Sequence, residues 1–500
     1  MATSTALPPP VGGWDGRESL ADMPEDHAVK MENWFPSTDT VDVRRGHTSH
    51  ATGMSGNVET LVEYVPLSGV GELFAANGGA IYDVSSSGAV GAAVSSGHTN
   101  DRWQYANIGT AAGQFVRLVN GADTPLLYNG STWATTAITG PTAANLVWIN
   151  VHQKRMWVGE ANSLSAWYLP VNSVSGAATE FPLAGVFKMG GYIMAMGTWT
   201  RDSGDGMDDV AVFVTSEGEV AVYQGIDPSA AATWALIGVF RIGEPLGRRC
   251  MAKVGSDLVV MTQDGFVPLT RILTTDRSQS RLVALSDQIS KPVNDVVRTY
   301  KSSFGWQPIV YPKGTYMVFN VPVTASTEQF VFNTITGAPC KFTGQDSLCW
   351  GLLNDGLYFG GKDGVVYWAD NGTSDNGSNI AADCIQAFSY FGSPQMRKMF
   401  KLVEAIFQSE GNPNAAIDWN VDFNLLNPTS TAEASPTNAA RWGISRWGIG
   451  TWGSAGQIYK GWRKVRGIGR AGSVRVRVNT NSSKPSWIST NVIFDKGGAM

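Results

Sequence analysis

The side chains able to do chemistry are sparse in this chain, and their spacing argues against a catalytic set. Five histidines stand at 27, 47, 50, 98 and 152, and the closest pair is His47 and His50 in GHTSH. No HExxH, GxSxG or P-loop string accompanies them, so GHTSH reads as a solvated loop before the first repeat rather than as a metal site. The stretch RDSGDGMDD offers Asp202, Asp205, Asp208 and Asp209 to a hard cation such as calcium, which takes several carboxylate and carbonyl oxygens. Its spacing and length depart from an EF-hand loop, and an acidic loop between repeats is the plainer reading. The four cysteines, at 250, 340, 349 and 384, form no CxxC pair and are read as reduced core thiols. Carboxylates for glycoside cleavage can be drawn from any of 42 acids, which makes that signal weak. The expectation is a protein without catalytic, cofactor or metal residues.

The strongest local pattern lies near the C-terminus. From Arg441 to Val478 there are nine cations and no Asp or Glu: Arg441, Arg446, Lys460, Arg463, Lys464, Arg466, Arg470, Arg475 and Arg477. They are interleaved with Trp442, Trp447, Trp452, Tyr459 and Trp462. Cations beside aromatics can hold phosphates and stack bases. They can equally meet an acidic neighbouring subunit, or pair across a sheet, Arg475 and Arg477 with Asp418 and Asp422, while the rings fill a core. The spacing of five in RWGISRWGIGTWGS turns each indole about 140° on a helix and throws successive rings to opposite faces of a strand. One continuous stacking platform is therefore the least favoured arrangement.

The elements that must carry these residues are β-strands. Glycine supplies 57 of 500 residues and charged residues only 16%, while aromatics reach 10%, a composition suited to short aromatic strands and tight turns. No apolar run reaches the ~18 residues that span a bilayer, and MATSTALPPP lacks the apolar core of a signal peptide; a soluble protein is expected. Residues 379–500 hold 14 Lys and Arg against 7 Asp and Glu, and the remainder holds 23 against 35, so an acidic body carries a basic tail domain.

Seven segments repeat one design, an apolar run, a Gly/Asn/Asp turn and a second apolar run, ending near Tyr82, Tyr128, Tyr168, Tyr223, Leu269, Phe332 and Tyr367. Each reads as a β-hairpin, and a period of about 40 to 50 residues suits one four-stranded propeller blade. The predicted fold is all-β: an N-terminal arm with a propeller-closing strand (1–50), a seven-bladed β-propeller (51–378) and a C-terminal antiparallel, sandwich-like β domain (379–500). The closing strand is expected in the alternating DTVDVRRG. In the tail domain IDWNVDF sets Ile417, Trp419, Val421 and Phe423 on one face, and VRVRV does the same with Val474, Val476 and Val478.

GGWDGRESLADMPEDHAVKMENWFPSTDTVDVRRGHTSHATG, followed by ETLVEY, LFAANGGAIYDV, RWQYANIGTAAGQF and LVNGADTPLLYNGSTW, resembles the tail-hub or nozzle proteins of short-tailed bacteriophages, including those called packaged-DNA stabilisation proteins. The likeness is clearest over residues 12–135 and continues more loosely to the closing IFDKGGAM. It implies a non-enzymatic virion protein, a propeller subunit of a hexameric ring below the portal and its adaptor, enclosing the exit channel for double-stranded DNA. The implied partners are the adaptor ring above, tail fibres or tailspikes at the side and a needle or plug below. An acidic wall would keep DNA from sticking as it passes. The basic tail domain, through Arg441, Arg446, Lys460, Arg463, Lys464, Arg466 and Arg470, is the expected contact with the adaptor. The alternative from another class is a carbohydrate-binding or glycoside-cleaving propeller acting on the host surface.

Overall fold

The architecture is that of a computed structural model, which describes residues 2–202, 207–230, 232–272, 284–428 and 456–499. The chain is nearly all β, 53% strand and 5% helix, and its sheets form a propeller-like ring of six blades. All seven expected hairpins are present, among them Glu72–Asn77 with Ala80–Asp83, Met207–Thr215 with Glu219–Gly225 and Gly356–Gly361 with Val366–Ala369. Their turns follow from backbone geometry. Asn77 pairs with Ala80 across Gly78 and Gly79, whose φ values of 62° and 76° belong to the two-residue turns that match strand twist.

Six separate sheets make the ring, and neighbouring sheets meet through their first strands, Val58–Tyr64, Leu146–His152 and Ile193–Asp202 among them. The hairpin near Phe332 differs from the expectation of an independent seventh blade. Its four strands, from Gln307–Tyr311 to Pro339–Phe342, are extended by His27–Glu32, Ile380–Gln386, Gly472–Thr480 and Ala416–Val421, with Gly13–Trp14 beside His27–Glu32, into one nine-stranded sheet. The reason is an edge: Glu32 pairs in parallel with Lys341, so a strand that would otherwise face solvent is covered.

The sheet extension is one layer of a β-sandwich. The other layer centres on two fourteen-residue strands, Met396–Ser409 and Ser486–Ala499, joined by Ala2–Leu7, Trp34–Pro36 and Val41–Val43. Both layers bury one face into a common core containing Trp34, Phe407, Trp419, Val474, Val476, Val478, Trp487 and Phe494. VRVRV alternates as expected, its three valines 0%, 0% and 1% exposed. IDWNVDF departs from the pattern: Trp419 is buried and Ile417 and Val421 pack half-buried against the core, but Asn420, expected on the polar face, is 1% exposed, and Asp422 and Phe423 turn the chain with φ of 49° and 65°.

The N-terminal arm is divided between the two bodies. Val41 and Val43 are fully buried in the sandwich, and the strand that completes the ring is His47–Thr52, paired antiparallel with Val366–Ala369. GHTSH is thus a strand and not a solvated loop. An outer blade strand is held by main-chain pairing with one face open, so HTSHAT needs no apolar alternation. Arg44 clamps the junction: its guanidinium, 1% exposed, donates to Asp375 Oδ1 at 2.8 Å and Oδ2 at 2.6 Å, and also to Asn33 Oδ1 and Thr343 O. His47 Nδ1 lies 3.1 Å from Asp375. Burial opposes ionisation of Asp375, but the hydrogen bonds and charges of His47 and Arg44 prevail and hold its pKa below the ordinary value.

All four cysteines are free and buried. Burial pushes the Cys250 and Cys349 thiols up to about 12. One helix, Ser290–Tyr300, escaped the strand-based reading. Val293 and Val297, one turn apart, bury it against the same core as the sheets around Phe266 and Phe319.

Candidate functional site

The basic strip reaches the surface along an edge of the sandwich. Gln457–Tyr459 and Arg463–Gly469 pair with the outer side of Met396–Ser409 and end that sheet among the described residues. Lys460, Arg463, Lys464, Arg466 and Arg470 are all exposed there, and among the described residues no carboxylate lies within ion-pair distance of any of the five. Arg441 and Arg446, with Trp442, Trp447 and Trp452, lie outside the described residues. The cations are mixed with exposed apolar side chains: Met399 and Ile468, directly opposed across the strands, are 47% and 65% exposed, and Trp462 is 43% exposed. Tyr459 instead packs against the sandwich core.

The glycines of RGIGRAG fit the edge strand to its support. A Cβ at Gly467 would meet Val421 Cγ2 at 2.5 Å, and one at Gly469 would meet Val421 Cγ1 at 2.2 Å. The turn beyond is fastened twice. Asp422 Oδ1 accepts from the amides of Arg470 and Ala471 at 2.6 and 3.0 Å, and the buried Lys398 ammonium donates to Arg470 O at 2.7 Å and to two further carbonyls. Arg475 and Arg477 do not join this surface. Arg475 forms a bidentate pair with Asp383, at 2.8 and 2.6 Å, and Arg477 reaches Asp418 at 3.1 Å. Asp422, expected as a partner of these arginines, caps a backbone turn instead.

Asp202, Asp208 and Asp209 lie on the paired strands Ile193–Asp202 and Met207–Thr215 of one sheet, not in a connection between blades. Asp202 pairs in register with Met207, and Arg201 with Asp208; Asp205 lies outside the described residues. The Asp209 carboxylate accepts from Thr200 Oγ1 at 2.7 Å, and that hydroxyl accepts from Lys253 Nζ at 2.7 Å.

A second candidate region, missed in the sequence, lies at the ring axis. Two cavities of about 430 and 470 Å³ share Gln104, Arg248 and Arg249 on their walls. Gly247, with φ of 82°, turns the chain into the Arg-Arg pair. Arg249 joins two sheets, donating to Glu59 O at 3.0 Å, Thr60 Oγ1 at 2.6 Å and Trp103 O at 2.9 Å. Arg248 donates to Val147 O at 3.3 Å. Desolvation lowers the pKa of both guanidiniums. The available signal was a doubled arginine between two hairpins of an otherwise acidic body.

A propeller-like ring fused to a β-sandwich with a cationic edge is the class that fold and site define. No family model and no curated protein matches the chain. Among solved structures it is similar to the computationally designed Ika8 protein at 11% identity, covering 68% of this chain and 96% of that one with a TM-score of 0.37. BBS1N in complex with ARL6DN matches at 10% identity, 67% and 99% coverage and a TM-score of 0.43. BamB from Moraxella catarrhalis matches at 13% identity, 62% and 96% coverage and a TM-score of 0.35.

Proposed function

We propose that this chain is a structural, non-enzymatic virion protein of a short phage tail. It forms a hexameric ring below the portal and adaptor, encloses the DNA exit channel, retains packaged DNA and attaches tail fibres or tailspikes and a needle or plug. The resemblance of residues 12–135 supplies the class. The observation that carries the proposal is the edge strand Arg463–Gly469, whose exposed cations and apolar side chains lie on a rigid sandwich and suit an acidic protein partner such as the adaptor ring. In this reading residues 307–342 count as a seventh blade, and DNA passes without sequence-specific binding.

The test has two stages. Light scattering of the purified chain is expected to give roughly six times 53.5 kDa; a monomer that binds or cleaves host polysaccharide would replace the tail reading with the glycan-directed one. Changing Arg463, Lys464 and Arg466 together to glutamate is expected to leave each subunit folded, by circular dichroism, and to block its stacking onto the adaptor in electron micrographs of assembled particles. Normal assembly of that variant overturns the edge as the adaptor contact.

A further inference from the structure

The axial cavities hold two arginines, Arg248 and Arg249, that the protein leaves without an ion-pair partner among the described residues: no carboxylate lies within ion-pair distance of either. Glu59, whose charge reaches Arg249, is engaged by Arg102 at 3.2 Å, and Glu244 by Lys301 at 3.4 Å. The Arg102 and Arg249 guanidiniums both sit over the Phe304 ring, with Cζ 4.5 and 5.2 Å from its centroid. Like charges gathered in a partly desolvated wall repel one another, and the N–H donors of Arg248 and Arg249 have only neutral acceptors in reach; an entering anion relieves both conditions. Beside the arginines the wall mixes neutral polar side chains, among them Asn100, Asn120, Gln104, Ser302 and Ser303, with the apolar Met194, Pro245, Phe304 and Trp306. Side-chain amides and hydroxyls around a cationic centre suit a molecule that carries hydroxyls as well as charge.

We propose that the axial funnel is a binding site for a small polyhydroxylated molecule bearing an oxyanion, carboxylate or phosphate, held by Arg248 and Arg249 with Arg102 and Lys301 at the rim. The site rests on the funnel alone and is independent of the assembly the edge strand makes. Arg249 ties two sheets through three hydrogen bonds, so it also holds the ring together. Arg248, with one long bond to Val147 O, is free to turn its other donors to the ligand.

The test is calorimetric titration of the intact chain with inorganic phosphate, glucuronate and glucose. Saturable binding of phosphate or glucuronate is expected, with glucose far weaker, and the anion that binds names the oxyanion. Arg248→Gln is expected to weaken binding about tenfold or more, the loss of one charge-assisted hydrogen bond, while Arg248→Lys retains part of the affinity. An unchanged melting temperature in Arg248→Gln shows that the ring is intact. Absence of binding by both anions, or equal affinity in Arg248→Gln, overturns the site.

Discussion

Replacing Asp375 with asparagine tests whether a buried charge holds the ring closed. The substitution keeps the side-chain shape and removes the negative charge that faces Arg44 and His47. Breaking a buried ion pair from one side costs about 3–5 kcal/mol, because the remaining charge stays desolvated. Arg44 keeps neutral acceptors in Asn33 Oδ1, Thr343 O and Arg45 O, all within 2.9 Å, which places the loss near the lower limit. About 3 kcal/mol corresponds to a roughly 150-fold rise in the opening equilibrium. The loss belongs to the junction, so the assay is amide hydrogen exchange read by mass spectrometry on peptides covering His47–Thr52 and Val366–Ala369. Protection there is expected to fall by that factor while the sheet from Ile193–Asp202 to Trp234–Arg241 is unchanged. Asp375 also sets a pH signature: its folded pKa is below the ordinary 3.8, so its stabilisation is complete above that value and is lost as pH falls through the folded one. The asparagine variant lacks this acid step. Unchanged protection at the closing strand, or an equal loss in every sheet, refutes the clamp.

Two further outcomes follow from packing and burial. His152 is 2% exposed, and burial pushes its pKa down to about 4 from 6.5; the stability it contributes is present above 6.5 and is lost as pH falls toward 4, about 3 kcal/mol in all. Urea titrations between these pH values are expected to show a shallower pH slope in His152→Gln, and equal slopes would exclude the assignment. Gly469→Ala is expected to lose about 1–3 kcal/mol by overpacking against Val421, read as a lowered melting temperature, while Gly461→Ala, with nothing within 4 Å of the added Cβ, stays near the parent; equal behaviour of the two would refute the close packing of the edge strand.

What was legible in the sequence was local. The seven hairpins could be read because apolar alternation and positive-φ turn residues act within a few positions. The hairpin of Leu146–His152 with Arg155–Glu160, turned at Gln153 and Lys154 with φ of 50° and 56°, carries no such residues and was not among the seven. The cationic strip was legible by composition, and Lys460, Arg463, Lys464, Arg466 and Arg470 are at the surface. The helix Ser290–Tyr300 was also written locally, in the spacing of Val293 and Val297, but inside a chain dominated by strand signals.

The sequence by itself determined the strand-rich class, the hairpins and the buried valines of VRVRV, because each depends on neighbours a few residues apart. Tertiary structure alone decided that Val41–Val43 joins the sandwich while the polar HTSHAT closes the ring, that Arg475 pairs with Asp383 and not with Asp422, and that Arg248 and Arg249 line an axial funnel. Those outcomes turn on which edges and charges meet across hundreds of residues. Main-chain pairing is nearly indifferent to side-chain type, and an arginine accepts any carboxylate the fold brings within reach. Local pattern therefore leaves the partner open, and burial of the whole chain selects it.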